Sequence, residues 1–467
     1  MYDKLNNRID EIKDEIIGSA QKIIQIKSVE SEAEEGMPFG QGVNECLETT
    51  LHIAELMGFD IKNVDGYAGH VELGDGDEIL GILCHLDVVP EGSNWSYPPY
   101  GAEIVDGKLY GRGSIDDKGP AIAALYALKA VRDSEVPLKK KVRLIFGTDE
   151  ESGWQGLDYY LKKEDTPDMA FTPDADFPVI HGEKGILTFN IKKKLENCTI
   201  DKIKSIKIKG GNAPNMVPDY CKADIETDYQ EFMKEKMNKY VEGTEEVNLE
   251  AKIKDNSIII ESFGVSAHGS LPEQGKNAIS QLMVFLDKFD ILEGKVDDLI
   301  GFYNECIGME YYGESMGCQM EDEVSGLLTF NVGMINISED MAEIIVNIRY
   351  PVTVKYDTVV GKIKKTLDKY DLEYEELSHM EPLYVEKNDP LVRKLMKVYQ
   401  EYTGDKSEPV TIGGGTYARA IDKAVAFGPG FPGREELAHQ KDEFLSIDDL
   451  ILIAKIYAAA IVELAGE

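Results

Sequence analysis

The sequence is poor in basic residues, histidine and tryptophan, and no apolar run in it approaches the ~18–20 residues that a membrane span needs. Its 50 Lys and Arg stand against 86 Asp and Glu, a formal charge of −36. A field of that sign repels nucleic acid and anionic lipid surfaces, so neither is expected as a partner. It attracts metal cations only weakly and without site preference. There are 6 cysteines, Cys46, Cys84, Cys198, Cys221, Cys306 and Cys318, and no C-x-x-C pair. That spacing excludes a thiolate zinc site and a disulfide framework, and the cysteines read as reduced thiols of a cytoplasmic protein. The opening MYDKLNNRIDEIKDEI is charged and periodic, unlike a secretory leader.

What is present is a 467-residue chain, 43% hydrophobic, with its charges dispersed. That length exceeds one ordinary core and implies two or three domains. Leu5, Ile9, Ile12, Ile16 and Ile23 recur at helical spacing, which predicts one amphipathic helix over residues 3–27. Residues 79–86 (ILGILCHL) and 141–147 (KVRLIFG) are continuous apolar runs, read as buried strands, and 169–172 is a short third. Residues 121–131 (AIAALYALKAV) read as a helix packed on them. Strands of this kind alternating with helices predict an α/β domain with a mainly parallel sheet covered on both faces.

From about Gly185 the strands alternate polar with apolar residues, as in LTFNIKK and CKADIET, and the pattern recurs more loosely over 277–372. After about Pro382 the first texture returns, with a helix over 391–402, an apolar strand over 424–427 and a helix over 447–464. The expected organisation is a catalytic domain built from residues 1–184 and 383–467. An α+β lid of two similar halves, residues 185–382, is inserted into it.

In an open parallel sheet, ligands bind beyond the carboxyl ends of the strands. Five such ends carry suggestive residues: His85 and Asp87 after ILGILC, Asp116 and Asp117 after KLYGRGSI, Glu150 and Glu151 after KVRLIFGTD, Asp174 after AFTP, and His439 beyond AVAFGPG. Any one of these alone is most simply a packed histidine, a turn or a helix cap. Acids and histidines at the same end of successive strands have no such explanation, and together they indicate a site. Imidazole and carboxylate donors suit zinc, manganese or cobalt. Two cations ~3.5–4 Å apart require a carboxylate that bridges them. Glu150 and Glu151 are adjacent and, if extended, point apart, so one can be a ligand and the other a general base. Asp87 is placed to orient the His85 imidazole.

GILCHLDVVPEG, YGRGSIDDKGP, IFGTDEESG, FTPDADFPVIHGEKG and PGREELAHQ resemble the metallopeptidase superfamily of aminoacylase, carboxypeptidase G and succinyl-diaminopimelate desuccinylase. Over nearly its whole length the chain is similar to the peptidase V dipeptidases. The resemblance implies that His85 and Asp174 bind one metal, that Glu151 and His439 bind the other, and that Asp116 bridges them. It implies that Glu150 is the general base, that Asp87 orients, and that the Asp116–Asp117 peptide is cis. GGNAPNMVPD, SAHGSLPEQGKNA, VNIRYP and TIGGGTYAR match substrate-binding segments and bring in Asn215, His268, Arg349 and Gly413, Gly414 and Gly415. By the same resemblance His268 stabilises an oxyanion, and Arg349 with the glycine loop holds a substrate carboxylate.

The implied activity is hydrolysis of dipeptides with a free N-terminal amine. A water between two divalent metals, most simply zinc, would be activated by Glu150. Asp117 or Asp174 would receive the substrate amine. In smaller relatives the oxyanion histidine comes from a partner subunit. The longer lid here carries its own, so a monomer is expected. The alternatives are an N-acyl amino acid deacylase, a carboxypeptidase or a desuccinylase with the same ligands, and a non-catalytic binding protein of the same fold. The last would be expected to have lost the base or a ligand, and all are present.

Overall fold

The computed structural model describes residues 2–195, 202–244, 247–289 and 294–466; Cys198 lies outside them. Two compact units emerge. The first comprises residues 1–182, 385–410 and 415–467, and the second comprises residues 183–384 and 411–414.

The first unit is built on a twisted sheet. Seven of its strands run in the order Ile61–Val64, Ala68–Leu73, Lys141–Gly147, Ile79–His85, Met169–Thr172, Ala424–Ala426 and Ile180–Glu183. The four from Lys141–Gly147 to Ala424–Ala426 are mutually parallel, and the neighbours on either side are antiparallel. The sheet is therefore parallel at its centre and mixed overall. Every residue of Ile79–His85 is buried, as expected of an all-apolar strand covered by helices. The alanine-rich helix Lys118–Asp133 packs against it and against the terminal helix Ile447–Ala465. That last helix begins where the Ser446 hydroxyl accepts the Asp449 N–H at 3.0 Å, with Asp448 and Asp449 in its first turn.

The single helix predicted over residues 3–27 is two, Tyr2–Glu11 and Lys13–Ile24, broken at Ile12 (φ −104°, ψ 16°). Leu5, Ile9, Ile12 and Ile16 are all buried. Because the apolar stripe continues through the break, periodicity does not reveal it. Cys46 and Cys84 are free and buried here, as are Cys221, Cys306 and Cys318 in the second unit. Among the described residues no helix is long and apolar enough to cross a membrane.

Among the described residues, the second unit is built on an antiparallel sheet of eight strands with alternating burial, as in Ser257–Phe263. It divides into two four-stranded halves. In each, a hairpin (Ile203–Gly210 with Tyr220–Thr227, or Thr329–Ile337 with Met341–Tyr350) leads to a helix, Gln230–Gly243 or Tyr356–Leu367, and then to a strand, Leu249–Lys254 or Glu373–Met380. A short ladder joins the halves at Ile208–Ile337, Lys209–Asn336 and Gly210–Ile335. Residues 411–414, expected with the first domain, belong to this unit. The Lys184 N–H donates to the Ile412 carbonyl at 2.9 Å, and Arg349 Nη1 donates to the Gly413 carbonyl at 2.7 Å.

Candidate active site

Parallel strand ends of the first unit supply His85, Glu150, Glu151 and Asp174. The end expected before Asp116 differs: its strand, Lys108–Tyr110, belongs to a separate small antiparallel sheet with Phe444–Ser446, and Asp116 and His439 come on loops that flank it. His85 closes its strand and is buried. Asp116 lies in the turn before helix Lys118–Asp133, and its peptide bond to Asp117 is cis. A Cβ on Gly119 would lie 2.0 Å from the Ser114 carbonyl oxygen, so only glycine lets the chain return this closely beneath Asp116. Glu150 and Glu151 sit in a turn rather than in extended chain. The Asp149 carbonyl closes that turn, accepting N–H groups from Gly153 at 3.1 Å and Trp154 at 3.0 Å. His439 adopts φ 63°, a left-handed conformation uncommon outside glycine and asparagine.

These loops converge on two clusters that share one residue. His85 Nε2 lies 3.0 Å from Asp116 Oδ1 and 3.6 Å from Asp174 Oδ1. His439 Nε2 lies 3.1 Å from Asp116 Oδ2 and 3.0 Å from Glu151 Oε1. Asp116 thus turns one oxygen to each imidazole. Within each triad, His85–Asp116–Asp174 and Asp116–Glu151–His439, the candidate donor atoms all lie within 4.8 Å of one another. Nitrogen and carboxylate donors so arranged fit a pair of borderline divalent cations sharing a carboxylate.

The electrostatics follow from concentrating acids where water is scarce. Burial alone would raise Asp116, but the His439 and His85 imidazoles outweigh it and hold the carboxyl well below its usual range. His439 is raised to about 11, first by its hydrogen bond to Asp116 and then by that to Glu151. Asp174 is pushed up to about 7 by burial, against the opposing pull of His85. Burial, followed by the nearby Asp174 carboxylate, pushes Glu150 well above the carboxylate range.

Asp87 lies between the His85 imidazole and the turn that carries Glu150 and Glu151. Its backbone carbonyl lies 3.0 Å from His85 Nδ1, while its carboxylate Oδ1 is at 3.5 Å. That carboxylate accepts the Glu150 N–H at 3.1 Å and the Glu151 N–H at 3.0 Å, which sets the direction of both glutamates. Asp117 is corrected as a receptor for a substrate amine. It is 0% exposed, and Oδ2 accepts the His85 backbone N–H at 3.1 Å, so its carboxylate presents no surface to a ligand.

Of the substrate-binding candidates, Asn215, His268, Arg349, Gly413 and Gly414 lie within the second unit. The Gly269 N–H donates to the Asn215 carbonyl at 2.7 Å, which places Asn215 beside the His268 turn. The Asn331 amide holds the segment on either side of Asn215 by donating to the Pro214 and Met216 carbonyls. His268 is exposed, with Nδ1 2.6 Å from the Ser270 hydroxyl and 3.3 Å from the Ser270 N–H. Because a backbone N–H can only donate, Nδ1 accepts and Nε2 carries the proton. A Cβ on Gly413 would lie 2.6 Å from Ser270 Cβ, so the glycine loop passes directly over this turn. Arg349 is buried, with Nε donating to Asn347 Oδ1 at 3.0 Å and Nη1 to the Gly413 carbonyl. Gly414 lies in the same loop, whereas Gly415 belongs to the first unit.

Sequence reasoning missed Arg112 and Glu443, a buried ion pair with N–O distance 2.7 Å beside the Asp116 turn. Glu443 falls in the polar run REELAHQKDE, which reads as surface. Its position four residues after His439 is the only signal pointing to it.

An α/β unit that collects two imidazole–carboxylate triads around one aspartate, with His85, Glu151 and Asp174 at or just past the carboxyl ends of parallel strands, defines a hydrolase of the metallopeptidase class. More narrowly, the chain belongs to peptidase family M20/M25/M40, whose profile matches residues 81–463, and is a peptide-bond hydrolase. It is 41% identical over 461 residues to "Putative dipeptidase YtjP" of Bacillus subtilis, covering 97% of this chain and 98% of that one. It is 36% identical over 471 residues to a "Putative dipeptidase" of Staphylococcus epidermidis, covering 98% and 99%. Among solved structures, human carnosine dipeptidase 1 superposes with TM-score 0.60 at 15% identity, covering 99% of this chain and 98% of that one. The M20 family metallo-carboxypeptidase Sso-CP2 from Sulfolobus solfataricus gives TM-score 0.58 at 17% identity, covering 96% and 98%. At these identities the likeness is one of fold.

Proposed function

We propose that this chain is a dinuclear metal-dependent dipeptidase that acts as a cytoplasmic monomer on dipeptides with a free N-terminal amine. The carrying observation is Asp116, which offers one carboxylate oxygen to each of two imidazole-bearing triads. His85 and Asp174 hold one divalent cation, Glu151 and His439 the other, and zinc fits the donors, with manganese or cobalt as substitutes. When bound, such a pair supplies Lewis acidity toward a carbonyl oxygen and a lowered pKa for water.

The chain's own residues do the rest. Glu150, which stands beside both triads without belonging to either, takes the proton of the attacking water and returns it to the departing amine. Asp87 keeps Glu150 and Glu151 in their separate directions through their N–H groups. In the second unit, His268 is assigned oxyanion stabilisation, in keeping with the proton on Nε2, and Asn215 a substrate contact. Arg349 with Gly413, Gly414 and Gly415 is assigned the substrate carboxylate. His268→Ala is expected to lower kcat by about 10²–10³-fold, as for the loss of one oxyanion donor. Steady-state kinetics on a dipeptide, with zinc content confirmed, check this.

The reading of the whole chain is tested on protein stripped with a chelator and reloaded with zinc. Ala-Ala and a β-alanyl dipeptide are assayed beside N-acetyl-alanine and a tripeptide. Zinc-dependent turnover of the free dipeptides alone is expected. Preference for N-acetyl-alanine would replace the proposal with a deacylase, and absence of hydrolysis across the panel would remove catalysis altogether. Light scattering should give one chain per particle, and activity confined to a dimer would contradict the monomer.

A further inference from the structure

Asp116 and His439 must hold a fixed mutual position, 3.1 Å apart at their nearest atoms, yet they sit on loops from distant parts of the chain. The two loops leave from one small antiparallel ladder, where Phe444–Ser446 pairs with Lys108–Tyr110 and the Gly111 N–H donates to the Glu443 carbonyl at 2.9 Å. A ladder of three residues fixes the strands but not the loops beyond them. Something further must set the turn over residues 113–116.

The Glu443 side chain occupies that place. It is 0% exposed, and its carboxylate accepts N–H groups from Gly113 at 3.2 Å, Ile115 at 3.0 Å and Asp116 at 3.3 Å, with the Ser114 hydroxyl at 3.5 Å. Arg112, 2% exposed, donates through Nη1 to Glu443 Oε2 at 2.7 Å and through Nη2 to the His439 carbonyl at 3.3 Å. Its guanidinium also lies over the Trp95 ring, 5.3 Å from the centroid. One carboxylate therefore gathers the backbone that presents Asp116, and one guanidinium links that carboxylate to the backbone that presents His439.

A buried ion pair is a poor source of stability, because taking both charges out of water offsets most of their attraction. Several backbone donors converging on a point do need a charged acceptor, and an apolar residue there would leave them unsatisfied. We infer that Arg112 and Glu443 form a positioning pair that sets the shared carboxylate of Asp116 against His439 for cation binding. The inference rests on the two-cation reading above.

Zinc-loaded full-length protein is the material for the test, and release of zinc to a chromogenic chelator is the readout. Glu443→Gln keeps the shape and one acceptor oxygen but loses the charge. It is expected to release zinc about 10–100-fold faster than the parent, the range seen when groups supporting metal ligands are removed. Its kcat should fall with KM little changed, and excess zinc should restore part of it. Arg112→Lys keeps the charge but loses the fork to His439, and should release zinc at an intermediate rate. Arg143→Gln is the control. It breaks another largely buried pair in the same unit, Arg143–Glu72 at 2.7 Å, and should lower the unfolding midpoint without changing zinc release.

Release at the parent rate from both Glu443→Gln and Arg112→Lys would overturn the inference. Equal acceleration in Arg143→Gln would also overturn it, since zinc loss would then follow general destabilisation. If Glu443→Gln is recovered only unfolded, Arg112→Lys decides alone by the same criterion. Parent protein that binds none of zinc, manganese or cobalt would overturn the two-cation reading itself, an outcome distinct from a failure confined to the variants.

Discussion

Glu150→Gln should bind both cations and a dipeptide as the parent does, yet turn over about 10²–10⁴-fold more slowly, the range that one positioned general base contributes. The expectation is clean because the backbone here does not depend on the carboxylate. The Glu150 N–H is held by Asp87 and its carbonyl accepts the Trp154 indole N–H at 2.9 Å, so glutamine inherits the same place. Glu150 also stands outside both triads, which leaves the cation donors intact. What is lost is the capacity to take a proton from water and return it to the amine. Zinc content by elemental analysis, with kcat and KM on Ala-Ala, separates the possibilities. Unaltered turnover with full zinc would assign the base elsewhere, and lost zinc would make Glu150 a ligand.

Asp116→Ala should have the broader effect, removing an oxygen from both triads at once. Each is left with one imidazole and one carboxylate, too few to hold a cation against solvent, and activity should disappear with the metal. The unopposed Asp174 and Glu151 carboxylates add no compensating donor at the vacated centre. His439→Ala should differ in kind, because His85, Asp116 and Asp174 remain. Zinc per chain after gel filtration is the deciding quantity. Near zero for Asp116→Ala and near one for His439→Ala is the expected pattern, whereas one zinc in each would show that Asp116 does not bridge.

Much of this site is legible in the sequence for a geometric reason. A parallel strand that is apolar throughout, such as Ile79–His85, has both faces covered and one carboxyl end, so polar residues just past it have only one place to go. His85, Glu150, Glu151 and Asp174 could therefore be grouped without coordinates, whereas Asp116 and His439 reach them on loops that flank the antiparallel ladder of Lys108–Tyr110 and Phe444–Ser446. The antiparallel strands Ile61–Val64 and Ala68–Leu73 escape the same reading because they are short and carry no long apolar run. The break at Ile12 escapes because a local turn leaves the apolar stripe in step.

Other features depend on contacts between residues far apart in the chain. The sequence shows acids near His85 but not that Asp117 is sealed beneath it, nor that the Asp87 carboxylate faces two glutamate amides. It shows the glycine run of 413–415 but not that Ser270 and Arg349 draw residues 411–414 into the second unit. Composition and strand pattern by themselves determined the class of chemistry, because ligand types and strand ends are local properties. Tertiary structure alone decided the Arg112–Glu443 pair beneath Asp116. A buried ion pair exists only where separate loops meet, and local sequence does not encode that meeting.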